Sequence, residues 1–175
     1  MEYAFDCPHT CCFTGSRPEK LGFDWESNSY QMQSLRRDLK CAILRAIEQE
    51  YTCFISGMSK GFDLWAAQAV LELQTAHPQI KLVCAVPFAE MSQNWSSDWR
   101  NLFEKIAQSS DYIKILSPRY SAGCYHARDR FMVDNASRVI CWYNGTKGGT
   151  EYTVRYAQKQ GRLIDNLYIS QICIL

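Results

Sequence analysis

The sequence predicts an α/β domain with a mostly parallel sheet and helices on both of its faces, and three observations predict it. Short apolar runs rich in β-branched and aromatic residues alternate with stretches whose apolar residues recur at helical spacing. Most of the runs stop at glycine or proline, where a strand hands the chain to a turn and a crossover helix. The chain of 175 residues, 47% apolar and 21% charged, has the length for one sizeable core and the composition of an ordinary globular domain. No repeat, low-complexity tract or linker divides it, so one domain over residues 1–175 is expected.

Thr10-Cys11-Cys12-Phe13-Thr14 reads as the first strand and stops at Gly15-Ser16-Arg17-Pro18. A glycine followed by a hydroxyl and an arginine makes an anion-binding corner or a plain turn with a solvent-facing arginine. From Ser34 to about Glu50, Leu35, Leu39, Ile43, Ala46 and Ile47 form one helical stripe. Thr52–Ser56 is the second strand, closed by Gly57-Met58-Ser59-Lys60-Gly61-Phe62-Asp63, and Leu64, Ala67 and Leu71 mark the helix that follows. Asp63 falls in its first turn, where a carboxylate complements the helix dipole or accepts hydrogen bonds from ribose hydroxyls.

Ile80–Val86 is the third strand and ends at Pro87-Phe88. The loop beyond carries Gln93, Asn94 and Trp95, a mix that suits stacking on a base or stapling the loop to the sheet. Trp99, Leu102, Phe103 and Ile106 mark a helix, and Tyr112–Leu116 a fourth strand. A helix over Tyr125–Asn135 carries Arg128, Arg130 and Asp134. Val139–Tyr143, with two aromatics and two β-branched residues, reads as a strand buried on both faces. Asn144–Gly149 then breaks the chain, a helix runs on from Thr150 through Val154 and Ala157, and Leu163–Ile169 reads as a sixth strand. Strand, Gly-Gly turn and helix point free backbone N–H groups at an anion, and glycine lets a phosphate approach closely. The same sequence also fits a plain glycine turn. In parallel sheets ligands bind at the carboxyl ends of the strands, and every glycine-bearing corner here lies at such an end.

A formal net charge of +1 gives no global field toward nucleic acid or a membrane, so nucleic acid is an unlikely partner on charge alone. No run is long enough to span a bilayer, and the acidic Met1–Asp6 segment lacks a signal peptide's basic and apolar regions. A cytoplasmic protein with no membrane partner is expected. Of nine cysteines, Cys12, Cys53, Cys84, Cys141 and Cys173 lie in apolar runs and read as small hydrophobes. Cys7, His9, Cys11 and Cys12 cluster in sequence and Cys124 sits two from His126, an alternative zinc reading, but no CxxC pair is present, and no metal or cofactor is expected. There is no GxGxxG, no GxxxxGK[ST] and no GxSxG, and none of the three histidines stands beside an obvious nucleophile.

Cys11 to Pro18, Ser56 to Asp63, Pro87-Phe88 with Gln93 and Trp95, and Arg128 to Asp134 with Gly148-Gly149-Thr150 resemble the YpsA-like branch of the SLOG superfamily. That superfamily joins the DNA-processing protein DprA to the cytokinin-activating Lonely Guy phosphoribohydrolases. The resemblance runs from about Cys11 to Ala157. It implies a Rossmann-like three-layer sandwich that binds nucleotides or nucleotide-derived ligands, often as a homodimer. The matched motifs nominate Thr14, Gly15 and Arg17 from the first corner, and Ser56, Gly57, Met58, Gly61 and Asp63 from the second. They add Pro87, Phe88 and Trp95 from the third, Arg128 and Asp134 from the fourth helix, and Gly148, Gly149 and Thr150 from the last turn. Two departures stand out. Ser16 replaces a common histidine, and Thr153 holds the position of the Lonely Guy glutamate. Glu151 is two residues early, on another helical face.

Three functions follow as expectations. In the leading one the chain binds a nucleotide-derived ligand as sensor, carrier or sequestering protein. Gly148, Gly149 and Thr150 hold phosphate, Arg17 and Arg128 add charge-assisted hydrogen bonds, Asp63 contacts a sugar, and Trp95 or Phe88 stacks on a base. The second is cleavage of a nucleotide N-glycosidic bond, with Asp63, Asp134 or Glu151 as the acid–base group. The third is binding of single-stranded DNA, as in DprA.

Overall fold

The computed structural model describes residues 3–26 and 28–168. Six parallel strands form one sheet in the order β4-β3-β2-β1-β5-β6. They are β1 (Thr10–Gly15), β2 (Cys53–Ser56), β3 (Lys81–Val86), β4 (Tyr112–Ile115), β5 (Arg138–Trp142) and β6 (Leu163–Asn166). The intervening helices are α1 (Tyr30–Glu48), α2 (Phe62–Gln74), α3 (Ser97–Ser109), α4 (Cys124–Asp134) and α5 (Gly149–Lys159). The chain winds outward from β1 through β2 and β3 to β4. It then crosses back by α4 to lay β5 on the other side of β1. Right-handed crossovers put α1, α2 and α3 on one face and α4 and α5 on the other. The result is a Rossmann-like α/β fold.

Alternation along each strand divides the core. Cys11 and Phe13 point into the layer beneath α1 and α2, while Cys12 points into the layer beneath α4 and α5 with Val83, Met132, Val133 and Val154. The apolar runs are continuous because a parallel sheet covered on both faces buries every second residue on each side. Phe13 and Phe54 are fully buried, and their rings stack at 6.0 Å. Each such side chain contributes about 1.5–3 kcal/mol by leaving water.

Two boundaries differ from the pattern by more than the one or two residues seen elsewhere. Helix α1 begins at Tyr30 instead of Ser34, because the Ser29 hydroxyl accepts from the Met32 amide at 3.2 Å and caps it. Tyr30 is 70% exposed, so no apolar stripe marks the first turn. Strand β6 ends at Asn166; Ile169 and Cys173 lie outside the described residues. Among the described residues no helix is long and apolar enough to cross a membrane. The sequence cluster Cys7, His9, Cys11 and Cys12 is dispersed by the strand's pleat. Cys11 and Cys12 face opposite layers, and His9 Nδ1 pairs with Asp6 at 2.7 Å. Among the described residues no three His, Cys, Asp or Glu side chains gather as a metal site.

Candidate functional site

The strand order reverses between β1 and β5, and a crevice of about 330 Å³ opens there at the carboxyl edge of the sheet. Four segments far apart in sequence form its walls. The corner after β1 contributes Thr14, Gly15, Ser16, Arg17 and Lys20; the approach to α2 contributes Ser59 and Asp63. Helix α4 contributes Tyr125, His126, Arg128 and Asp129, and the turn before α5 contributes Thr146 to Thr150.

That last turn owes its shape to Asn144, whose Oδ1 accepts from the Thr146 amide at 3.1 Å, and to Gly145 at φ 89°. No side chain caps α5, whose first ladder bond runs from the Tyr152 amide to Gly148 O at 3.0 Å. The first-turn N–H groups from Gly149 onward are therefore without intrahelical partners at the crevice. A Cβ at Gly149 would meet nothing within 4 Å, so the backbone here is open. Lys20, Lys147 and Arg17 are exposed cations on the same crevice. Lys20 Nζ donates to Lys147 O at 3.5 Å, and the Arg17 guanidinium lies 5.9 Å from the Tyr125 ring centroid.

The second corner is built differently. A Cβ on Gly57 would overlap the Arg128 guanidinium, and one on Gly15 would overlap the Phe62 ring. These glycines make room for protein. Ser56 Oγ donates to Asp63 O at 2.8 Å and accepts from the Met58 amide at 3.2 Å, holding Met58 at a φ of 58°. Gly61, at φ 90°, lets α2 start against Pro18. Ser56, Gly57, Met58 and Gly61 thus shape the corner from beneath and do not line the crevice.

This corner presents Asp63 to Arg128. Arg128 Nη1 lies 3.8 Å from Asp63 Oδ2, Nε donates to Asp129 Oδ1 at 2.8 Å, and Nη1 donates to Gly57 O. All three side chains are buried. Arg128 lines the crevice with its donors directed at the protein, which changes its expected role from phosphate clamp to internal counter-ion. Asp63 Oδ1 is buried without a partner. Burial pushes the Asp63 carboxyl up to about 7, with Arg128 pulling the other way.

Four further nominated residues lie outside the crevice. Asp134 ends α4 at the opposite edge of the sheet, where it accepts from Tyr156 Oη at 2.8 Å. Six residues of helix rise, about 9 Å, separate it from Arg128. Trp95 packs edge-on to Phe103 at 5.6 Å, with Lys60 Nζ 5.9 Å from its ring, which is the loop-staple arrangement. Phe88 meets the Tyr125 ring edge-on at 5.9 Å and so backs a lining residue, and Pro87 directly precedes it. Conversely, Tyr125, His126, Ser59, Lys20 and Lys147 were not nominated. Lys20 and Lys147 share the corners already singled out, so their charge was a usable signal. Tyr125 carried none, because α4 has no clear apolar stripe, and His126 stood out only for its spacing from Cys124.

A profile of the YspA SLOG family matches residues 11–172. A UPF0398 protein of Bacillus cereus strain B4264 is 27% identical over 153 residues, which is 86% of this chain and 83% of that protein. A UPF0398 protein of Bacillus thuringiensis strain Al Hakam is 26% identical over the same coverage. Among solved structures, DNA processing protein A of Streptococcus pneumoniae superposes with a TM-score of 0.58 at 18% identity, over 90% of this chain but 49% of that one. The Helicobacter pylori protein, described by its single-stranded DNA binding mode, gives 0.57 at 20% identity over 91% of this chain and 65% of that one. These likenesses share the fold, and they lend no support to the charge-based expectation against nucleic acid. With nearly the whole folded chain matched, the protein belongs to the YspA SLOG family.

Proposed function

We propose that the chain binds a nucleotide or nucleotide-derived ligand at the crevice between β1 and β5, with the ligand's phosphate at the start of α5. The observation that carries this reading is the uncapped, sterically open N-terminus of α5 facing Lys20, Lys147 and Arg17. Backbone donors and the helix dipole favour an anion there, and the cations add charge-assisted bonds. The volume of about 330 Å³ is near the lower end for ligand pockets and suits one nucleotide unit. Tyr125, beside Arg17, replaces Trp95 as the ring placed to stack on a base. A homodimer, implied by the family resemblance, belongs to the same proposal and is read by sedimentation. Calorimetric titration with a nucleotide panel tests the reading. Binding by the wild type that is lost in Gly149→Asp supports it, and undiminished binding in that variant moves the site elsewhere.

One observation favours a second reading, N-glycosidic cleavage. Asp63 lines the crevice with a carboxyl raised to about 7, the range in which a general acid or base works at neutral pH. Chromatography for released base decides it: base released by the wild type and not by Asp63→Asn makes the protein an enzyme. A single-stranded oligonucleotide presents the same phosphates. Its binding, weakening steeply with salt, is the mark of a nucleic-acid partner.

A further inference from the structure

Asp63 stands where α2, α4 and the corner after β1 meet at the crevice. It is 4% exposed. Its Oδ2 lies 3.8 Å from Arg128 Nη1 and accepts from the Ser59 amide at 3.4 Å, while its Oδ1 is buried with no hydrogen-bond partner. Arg128 is shared, because its Nε is committed to Asp129, also buried. One cation between two carboxylates leaves a net negative charge in the crevice wall whenever both are ionised. A buried ionised oxygen without a donor is costly, and a proton on the carboxyl removes most of that cost. Across the same crevice, the start of α5 with Arg17, Lys20 and Lys147 favours an oxyanion. An oxyanion seated there shares the crevice with that negative charge, which disfavours it.

We propose that the crevice takes up an oxyanion together with a proton, and that Asp63 holds that proton. The inference rests on the phosphate site proposed above. The proton passes from solvent to an Asp63 carboxylate oxygen, and no bond of the ligand changes. Arg128 is then balanced by Asp129 alone, and the rim cations are left for the ligand. Asp63 meets the ligand as a neutral acid, so a sugar hydroxyl does not find a carboxylate there. Burial has already pushed this carboxyl up to about 7, so the proton exchanges near neutral pH, and a bound anion raises it further.

The charged and titratable groups around Asp63 come from several elements. Arg128 and Asp129 face it from α4, and Arg17 acts on it from the corner after β1. Cys12 of β1 couples to it, but burial raises that thiol well above its ordinary range and keeps it neutral. Lys60, ahead of α2, is paired with Glu19 at 3.8 Å. Tyr125 and His126 line the crevice with it, and imidazole is the other side-chain type that changes charge near neutral pH, so His126 is the necessary control.

Sulfate is the probe, a phosphate-shaped dianion whose own charge is constant across the range used. Calorimetric titration from about pH 6 to about pH 8.5, in buffers of differing ionisation enthalpy, reads affinity and proton uptake together. The wild type is expected to lose about fivefold or more in affinity across that range and to take up a fraction of a proton near pH 7.5. His126→Gln should keep most of that dependence, and Asp63→Asn should bind with an affinity nearly independent of pH. Sulfate binding by the wild type without proton uptake overturns the inference and leaves the phosphate site standing. So does a dependence that survives Asp63→Asn and vanishes in His126→Gln. No sulfate binding at any pH overturns the inference and the phosphate site with it. The wild-type proton count stands whether or not the variants fold.

Discussion

The corner after β2 and the turn after β5 are similar in sequence and opposite in structure. Both follow a strand, both carry glycines, and both deliver the chain to a helix. Gly57 to Asp63 is buried except at Ser59 and Lys60, and Arg128 fills the space that a side chain on Gly57 would need. Gly145 to Gly149 is exposed throughout, and Gly149 has no neighbour within reach of a side chain. Glycine in the first corner lets the protein close on itself. Glycine in the second keeps the backbone of α5 accessible. A glycine therefore reports that something approaches the backbone, and only the surroundings say whether that is protein or ligand.

Perturbing each corner tests this contrast, and the largest effect is expected in the closed one. Arg128→Ala removes the counter-ion of two buried carboxylates and should cost about 3–5 kcal/mol of stability at neutral pH. Chemical denaturation measures it. A loss below about 0.5 kcal/mol would return Arg128 to the role of a ligand clamp, since only substitutions away from buried networks are that mild. Gly57→Ala drives a methyl group into Arg128 and Asp63 and should cost about 1–3 kcal/mol. A neutral result would mean that this corner is as open as the other.

The third test uses pH. Asp63 has its carboxyl raised to about 7 in the folded protein, above its ordinary 3.8. Between those values the folded state holds more protons than the unfolded one, so stability falls as pH rises from about 4 to about 7. The slope is at most about 1.4 kcal/mol per pH unit. Asp63→Asn removes that group, so its stability relative to wild type should improve steadily over the window. A difference that stays constant with pH would show that Asp63 titrates at its ordinary value. The smallest effect on the fold belongs to the open turn. Gly149→Asp should change stability by no more than about 0.5 kcal/mol, since the site is empty and an acidic residue suits a first helical turn. Its ligand binding should nonetheless disappear. A large loss of stability would mean that the turn is packed.

Much of the fold was legible in the chain. The middle residues of Thr10–Thr14, Ile80–Val86 and Val139–Tyr143 are apolar on both faces, because helices cover both sides of the sheet. Of the site, Thr14, Gly15, Arg17, Asp63, Arg128 and the Gly148–Thr150 turn line one crevice, as corners at strand ends in a parallel sheet should. Asp134 was separated from Arg128 by helix length alone, a constraint already present in their spacing. Trp95 was ambiguous because an aromatic in a loop stacks equally well on a base or on Phe103.

The sequence by itself determined the alternation of strand and helix, the covered parallel sheet and the positions of its glycine corners. Those depend on local periodicity and on the backbone freedom of single residues. Tertiary structure decided that β5 lies beside β1, which brings Gly15 and Gly148 to one crevice from opposite ends of the chain. It also decided that Arg128 faces Asp63 and Asp129, and so which charges are balanced and which are left for a ligand. Coulomb energy and desolvation depend on distance and burial, and residues 63 and 128 acquire both only when the sheet assembles between them.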